Sequence, residues 1–371
     1  MRIKKLKWMA AMTVMLLFGA ASARAGGFMQ PNLSTSGAGV ANAFTATADD
    51  ASAAAYNPAG AAWQEGFDLS LGSTLDYRNS SVKTAGNKVA PNTAQSPNGF
   101  FLYGAWMPVG GNLGITGGFA PLYDLRNSWG NALGNIQLTV DHGALDAVYA
   151  VNSSLAVGLG GDWYSSKFQL TEGAVNFSAK RGNSFGGHAS VMWKFHPAWS
   201  LGLLVRSGSN VSLNSGNQTI KLKLPDSATL GIAHDFADVW RLETDVQWTR
   251  WSKLKDLNVT SGGATVVANP LSLRDTITAM VGLTWTWREN SQFRIGYAYD
   301  QGANRSTGYN PLVADQDGHR ISFGAGGDAF GMHLDLAYNY TFHSNKTVTG
   351  VFPGTYRDRK QSIDISASKR F

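Results

Sequence analysis

Few side chains in this sequence could carry out chemistry. Gly182-Asn183-Ser184-Phe185-Gly186 fits G-x-S-x-G, a pattern that places a nucleophilic serine on a strand–turn–helix elbow with a histidine and an acid nearby. Here the motif opens a strand leading to Val191, Trp193 and Phe195, and among 43 glycines such a match arises by chance. Seven histidines are present, no two with H-E-x-x-H spacing, and His142, His188, His333 and His343 fall in strand-like contexts. Cysteine is absent, which removes disulfides, thiolate catalysis and cysteine-based zinc sites together. No catalytic residue, metal or cofactor is therefore expected.

The elements that would position any site begin after an address segment. Arg2, Lys4, Lys5 and Lys7 form a basic start, Met9 to Ala21 an apolar run, and Ala23-Arg24-Ala25 an A-x-A cleavage site. The apolar run is shorter than the ~20 residues a spanning helix needs, so residues 1–25 read as a cleaved signal peptide. That peptide carries five basic residues and no acid. The mature chain keeps 26 basic and 25 acidic residues, a net charge of +1, and loses its case for nucleic-acid binding.

From Phe67 onward the hydrophobic period is two. Phe67, Leu69, Leu71, Leu75 and Tyr77 alternate with Asp68, Ser70, Thr74 and Asp76, and Met332 to Phe342 repeats the pattern. A soluble sandwich would alternate likewise. Strand ends rich in aromatics, such as Trp285/Trp287 and Tyr297/Tyr299, and connections that alternate between tight turns and long loops favour an outer-membrane barrel. About fourteen strands are predicted, the third at 112–120, the fifth and sixth at 154–166 and 183–195, and the eighth at 218–234. The amphipathic last strand ends in Phe371, like the assembly signal of bacterial outer-membrane proteins.

A barrel of this size has a lumen that leaks unless something fills it. Residues 26–60, rich in Ala, Gly, Ser and Thr and broken by Pro31 and Pro58, cannot build a core of their own. The predicted fold is thus all-β, a transmembrane β-barrel of about 14 antiparallel strands over 67–371. A hatch of short helical and irregular segments, 26–66, occupies its lumen.

At this point the chain resembles the FadL/TodX family of outer-membrane transporters for hydrophobic compounds. The resemblance rests on Gly27-Phe28, Ser36-Gly37-Ala38-Gly39, Ala48-Asp49-Asp50-Ala51-Ser52 and Asn57-Pro58-Ala59-Gly60. Farther on it rests on Leu224-Pro225-Asp226-Ser227, Trp248-Thr249-Arg250-Trp251, Phe293-Arg294-Ile295-Gly296-Tyr297 and Asp317-Gly318-His319-Arg320. It implies passive uptake of long-chain fatty acids or hydrocarbons, with no cofactor, in the bacterial outer membrane. The partners it implies are the hydrophobic solute, outer-membrane lipid and lipopolysaccharide, with the chain a monomer.

The resemblance also implies residue roles. Gly27 and Phe28 would lie at a ligand pocket, and Asn57, Pro58 and Ala59 would form a gate motif. Gly114, Gly117 and Gly118 would mark a kink in the third strand and a lateral opening, since glycines weaken strand pairing. The outer loops at 167–182 and 210–218 are short for the family, and the segment after Asp300 lacks a proline often found there. Both put a surface capture site in doubt. A fatty-acid carboxylate would need a cation. Lys83, Lys88, Lys167, Lys180, Arg181 and Arg305 fall on predicted outer loops or rims, and Arg241 and Arg294 on lumen faces. If none faces the pocket, a neutral hydrocarbon is favoured. The alternatives are an outer-membrane lipid hydrolase and a passive porin or surface structural protein.

Overall fold

The computed structural model describes residues 27–84, 86, 88–95, 98–130, 134–173, 175–305, 309–349 and 352–371. The expected signal peptide and Gly26 lie outside the described residues. The wall strands are β1 (Gly66–Lys83), β2 (Asn98–Met107), β3 (Leu113–Ser128), β4 (Asn135–Ala150), β5 (Leu155–Glu172), β6 (Val175–His196) and β7 (Trp199–Arg206). They continue as β8 (Ser227–Phe236), β9 (Trp240–Thr249), β10 (Thr276–Arg288), β11 (Ser291–Asp300), β12 (Gly318–Ala329), β13 (Met332–His343) and β14 (Gly354–Arg370). Each pairs antiparallel with the next, and β14 returns to β1 from Asp68–Arg370 to Lys83–Thr355, closing a fourteen-stranded barrel. Two further strands of this sheet, Val89–Pro91 and Lys346–Val348, are three-residue pieces at its outer edge.

The wall separates two solvents as the sequence pattern requires. On β1, Phe67, Leu69, Leu71, Leu75 and Tyr77 are exposed on the lipid face while Asp68, Ser70 and Thr74 are buried in the lumen. Near the tight turns the outward aromatics form a run of ring contacts: Trp199–His234 at 4.0 Å, His234–Phe236 at 5.8 Å, Phe236–Trp240 at 6.5 Å and Trp240–Trp285 at 5.5 Å. This is the aromatic girdle of one membrane interface.

The strands depart most from the sequence reading at three places, and two of these share one cause. Strands β5 and β6 continue through 167–172 and 175–182. Above the membrane the polarity of the faces inverts. Leu138, Val140, Phe168, Leu170 and Phe177 point inward there, whereas at membrane depth the inward positions are His142, Asp146, Asp162 and His188. The inversion coincides with a bulge in β6, where Lys180 and Arg181 together oppose Lys167, so inward residues change from Phe177 and Ala179 to Gly182 and Ser184.

Strand β3 carries a matching bulge between Pro121 and Tyr123 and continues to Ser128. The two bulges lie on one rung, Tyr123–Val140–Ser166–Gly182. An alternation that reverses chemistry and phase at the same place reads as a strand end, which is why sequence stopped there. The third difference is at β8, which starts at Ser227 because Pro225 interrupts the chain. Gln218–Lys223 instead pairs with Asn210–Ser215 and, through Val259–Ser261 and Ala264–Val267, forms a four-stranded roof.

Candidate functional site

The described part of the plug begins at Gly27 and reaches β1 after Trp63. Its first residues act as a short strand. The Gln30 amide donates to the Leu122 carbonyl at 2.8 Å, and the Asp124 amide to the Phe28 carbonyl at 3.0 Å, so the segment pairs with β3 at its bulge. Phe28 packs between Trp251 (4.5 Å between ring centroids) and Tyr123 (6.0 Å). Gly27 has φ +81°, and a Cβ there would strike the Trp251 ring, so only glycine fits.

The Gly27 amide donates to Asp315 Oδ2 at 3.0 Å, and Ala303 donates to the same oxygen. Asp315 lies in the outer connection 301–317, where burial pushes its carboxyl well above the usual range. Phe28, Leu122, Leu125 and Trp251 belong to one buried cluster with Phe168, Phe177 and the roof residues Val211, Leu213, Ile220 and Leu222. The outer storey thus has a packed apolar core that reaches down to Phe28.

Beside this segment the wall has a window. Strand β2 pairs with β3 only from Trp106–Ile115 to Leu102–Phe119, while its residues Asn98 to Phe101 pair with β1 alone. Higher up the two sides rejoin through Asn92 and Thr93, which bond Asn127 and Ser128. Between these ties β3 has no strand pairing on its β2 side among the described residues, Arg126 O accepting from the Arg78 side chain of β1 at 3.1 Å, and the segment Phe28–Gln30 covers it from within.

Gly114, Gly117 and Gly118, expected at the kink, lie in the regular part of β3. A Cβ at Gly114 or Gly117 would press on a neighbouring strand's backbone, and one at Gly118 on the Tyr103 ring. The register break falls beyond them at Pro121, a residue with no amide to donate.

The rest of the plug is a compact knot. Helix α1 (Thr35–Gly39) is capped by Ser34, whose Oγ accepts from the Gly37 amide at 3.1 Å. Helix α2 (Ala53–Tyr56) brings Tyr56 Oη to Asn42 Oδ1 at 2.7 Å. Asn57, Pro58 and Ala59 lead into a 3₁₀ turn, Pro58–Trp63. Asn57 Nδ2 donates to Thr45 O (2.8 Å) and Val191 O (2.9 Å), and the Ala59 amide to Ser190 Oγ (3.1 Å). The motif's hydrogen bonds therefore go to the plug itself and to β6, not to β3.

The middle of the plug holds an anchor that the sequence reading missed. Phe44 and Thr45 amides donate to Asp245 Oδ2 at 3.1 and 2.9 Å, and Ala46 donates to Glu243 Oε1 at 2.5 Å. Thr47 Oγ1 donates to Glu243 Oε2. Both acids are buried on the lumen face of β9. Around them Gly202, Gly231, Gly282, Gly296 and Gly324 lie so close to the plug that a Cβ at any of them would collide with plug backbone, with Val40 or with Asp245. The signal was present as acids and glycines at lumen positions, but their partners lie about two hundred residues away in sequence, at |i−j| = 201 for Phe44–Asp245.

A cavity of about 210 Å³ lies between these parts. Its floor is Asn42, Thr45, Ala55 and Tyr56, and Phe28, Met29, Leu122 and Leu125 form its apolar side. Of the cations named from sequence, Lys83, Lys88, Lys167, Lys180, Arg181 and Arg305 are exposed and do not line it. Arg241 pairs with Asp49 of the plug (2.6 Å) and Asp235 (2.7 Å), and Arg294 with Asp335 (2.5 Å). Arg78, Arg126, Arg206, Arg320, Arg357 and Lys360, none of them weighed as a carboxylate partner from sequence, do line it. Ser184 sits mid-strand on β6, its buried Oγ without a hydrogen-bond partner, so G-x-S-x-G forms no nucleophilic elbow here.

Comparison with known proteins agrees with this architecture. The model of the family described as "Outer membrane protein transport protein (OMPP1/FadL/TodX)" matches residues 174–367. Outer membrane protein P1 of Haemophilus influenzae is 24% identical, over 93% of this chain and 92% of that protein. The crystal structure of a Pseudomonas aeruginosa FadL homologue superposes with a TM-score of 0.80 at 19% identity, over 93% of this chain and 100% of that one. The P. putida toluene transporter TodX superposes at 0.69 with 18% identity, over 86% and 94%. The Ralstonia pickettii toluene transporter TbuX gives 0.68 at 16%, over 92% and 99%.

Proposed function

Since this chain belongs to the outer-membrane transport protein family (OMPP1/FadL/TodX), whose members carry hydrophobic compounds, we propose that it takes up an apolar small molecule passively, gated by its plug and released sideways. The solute, a long-chain fatty acid or a hydrocarbon, enters the apolar outer storey and comes to rest against Phe28. Gly27 and Phe28 form the wall of the pocket. Displacement of the N-terminal segment uncovers the window between β2 and β3, and the solute leaves through it into the bilayer. Asn57, Pro58 and Ala59 support the gate by holding the plug against β6. Residues 26–66 work as the hatch, 67–371 as the barrel, and one chain suffices because the ring closes on itself.

The observation that carries this reading is the pairing of Phe28–Gln30 with β3 across the unpaired wall. Below it the lumen is filled by the plug, packed against Phe101, Met107, Val148 and Met192 on one side and hydrogen-bonded to Asp245 and Glu243 on the other, so a straight path would require the plug to leave its seat. A sideways path keeps the solute in apolar surroundings. Removing residues 27–32, with barrel assembly verified by heat-modifiable migration, tests it on a panel of fatty acids and alkylbenzenes. Loss of regulated uptake is expected, and uptake indistinguishable from the full chain would remove the segment from the mechanism.

A further inference from the structure

The bulge in β6 does more on the outside of the wall than shift a register. It gathers charge. Lys180 and Arg181 together oppose Lys167 on β5, and all three are exposed, while Ala179 and Gly182 on either side of the bulge are buried. Two consecutive side chains of one strand therefore leave the same face. Neighbouring strands lie about 4.8 Å apart, so three cations project from a single rung. Like charges that face each other across strands are destabilising. One acid offsets them in part, Asp141 at 3.6 Å from Lys167. Among the described residues Lys180 and Arg181 have no acidic partner.

The rung also marks a change of surroundings on the outer face. Below it Leu145, Leu159 and Phe185 of β4, β5 and β6 are exposed to lipid. Above it the outward positions are Gln137, Gln169, Asn176 and Ser178. A cleft of about 280 Å³ on these strands is lined by Gln137 and Gln169 together with Lys167 and Lys180. The cations thus stand where hydrocarbon gives way to headgroups, beside two amides that can donate.

An anion with several acceptor oxygens would satisfy this group. Arginine takes a phosphate by its planar fork and lysine takes it as a point charge. A dissolved anion would have to hold such an exposed site against salt. A membrane lipid would not come alone: its tails lie on Leu145, Leu159 and Phe185 and keep its phosphate at the height of the rung.

We propose that Lys167, Lys180 and Arg181 form a binding site for the phosphate of an outer-leaflet lipid, the phosphorylated lipid A portion of lipopolysaccharide. The site lies on the outside of the barrel, so it stands or falls apart from the transport reading.

The test titrates the detergent-purified full chain with lipid A that carries its phosphates and with lipid A stripped of them. Wild type should bind the phosphorylated form about tenfold more tightly or better, and Lys180→Gln with Arg181→Gln should weaken that binding by about 10- to 30-fold. Binding of the stripped form should not change. Lys180→Arg with Arg181→Lys keeps both charges and should keep the affinity, and heat-modifiable migration verifies that each barrel is folded. Lys83→Gln with Lys88→Gln removes two exposed cations elsewhere on the rim and should leave binding as in wild type. Equal wild-type affinity for the two forms, or equal weakening by the Lys83 and Lys88 pair, would overturn the site. Uptake of apolar solute should be the same in every variant, so neither result would touch the transport reading.

Discussion

The plug meets two opposite walls of the barrel in two different ways. Strands β9 and β10 lie seven strands from β2 and β3 in a ring of fourteen, half-way round. On the β9 side the plug gives three backbone amides and a hydroxyl to two buried carboxylates and lies on glycines with no side chain between. On the β2/β3 side it is held by two backbone hydrogen bonds, the Tyr103 hydroxyl donating to the Leu33 carbonyl at 2.8 Å and the Phe28–Tyr123 ring contact, and above it by the outer latch at Asp315. The proposed gating needs the first contact to hold and the second to release. A transporter with this division can open its wall without emptying its lumen, so it need not become an ion leak each time a solute passes.

The difference can be attacked from the weaker side first. Met29 and Tyr123 are antiparallel bridge partners across the window, and the chain has no cysteine of its own. Met29→Cys with Tyr123→Cys, once oxidised, should abolish uptake completely, and reduction should restore it. Uptake that ignores the oxidation state would mean that the segment never moves.

On the other wall, Glu243→Ala with Asp245→Ala leaves the turn's donors without acceptors, at about 1–3 kcal/mol for each that stays buried. Single-channel recordings should then show ion-conducting openings, and added protease should cut within residues 27–65. A quiet, resistant double variant would put the anchor elsewhere.

The smallest effect is at the latch. Burial holds the Asp315 carboxyl well above the usual range, partly opposed by the amides of Ala303 and Gly27. Released into water it returns to the ordinary value of about 3.9. The seated state therefore binds the proton more tightly, so seating is strongest below about pH 4 and weakens as pH rises through the raised value. Uptake by wild type should increase a few-fold over that window, and Asp315→Asn should flatten the profile. A profile that keeps its slope in Asp315→Asn assigns the titration to another group.

What the sequence made legible follows from these physics. The membrane storey is written in strict alternation, and Phe67 to Tyr77 or Met332 to Phe342 can be read directly. The outer storey uses the same period with the faces exchanged, and at Lys180-Arg181 and Pro121–Tyr123 the period slips by one residue. No local rule distinguishes that from a loop. Phe28 could be named because its position beside Gly27 at the chain start belongs to a family pattern. Glu243 and Asp245 could not, because in sequence they are two more polar residues on a lumen face with Arg241 and Gln247. Arg206 was hidden similarly, following Leu203, Leu204 and Val205 in a stretch that reads as apolar.

The β9 anchor also bears on how the molecule is made. Its carboxylates are synthesised about two hundred residues after the turn they hold, and contacts of such separation form late. The plug joins β1 through only Gln64 and Glu65 and fits its wall backbone to backbone. The β1–β14 seam, where the Phe371 and Phe67 amides and carbonyls exchange hydrogen bonds, joins the first strand to the last, so the plug and both carboxylates that hold it are synthesised before the strand that completes the ring.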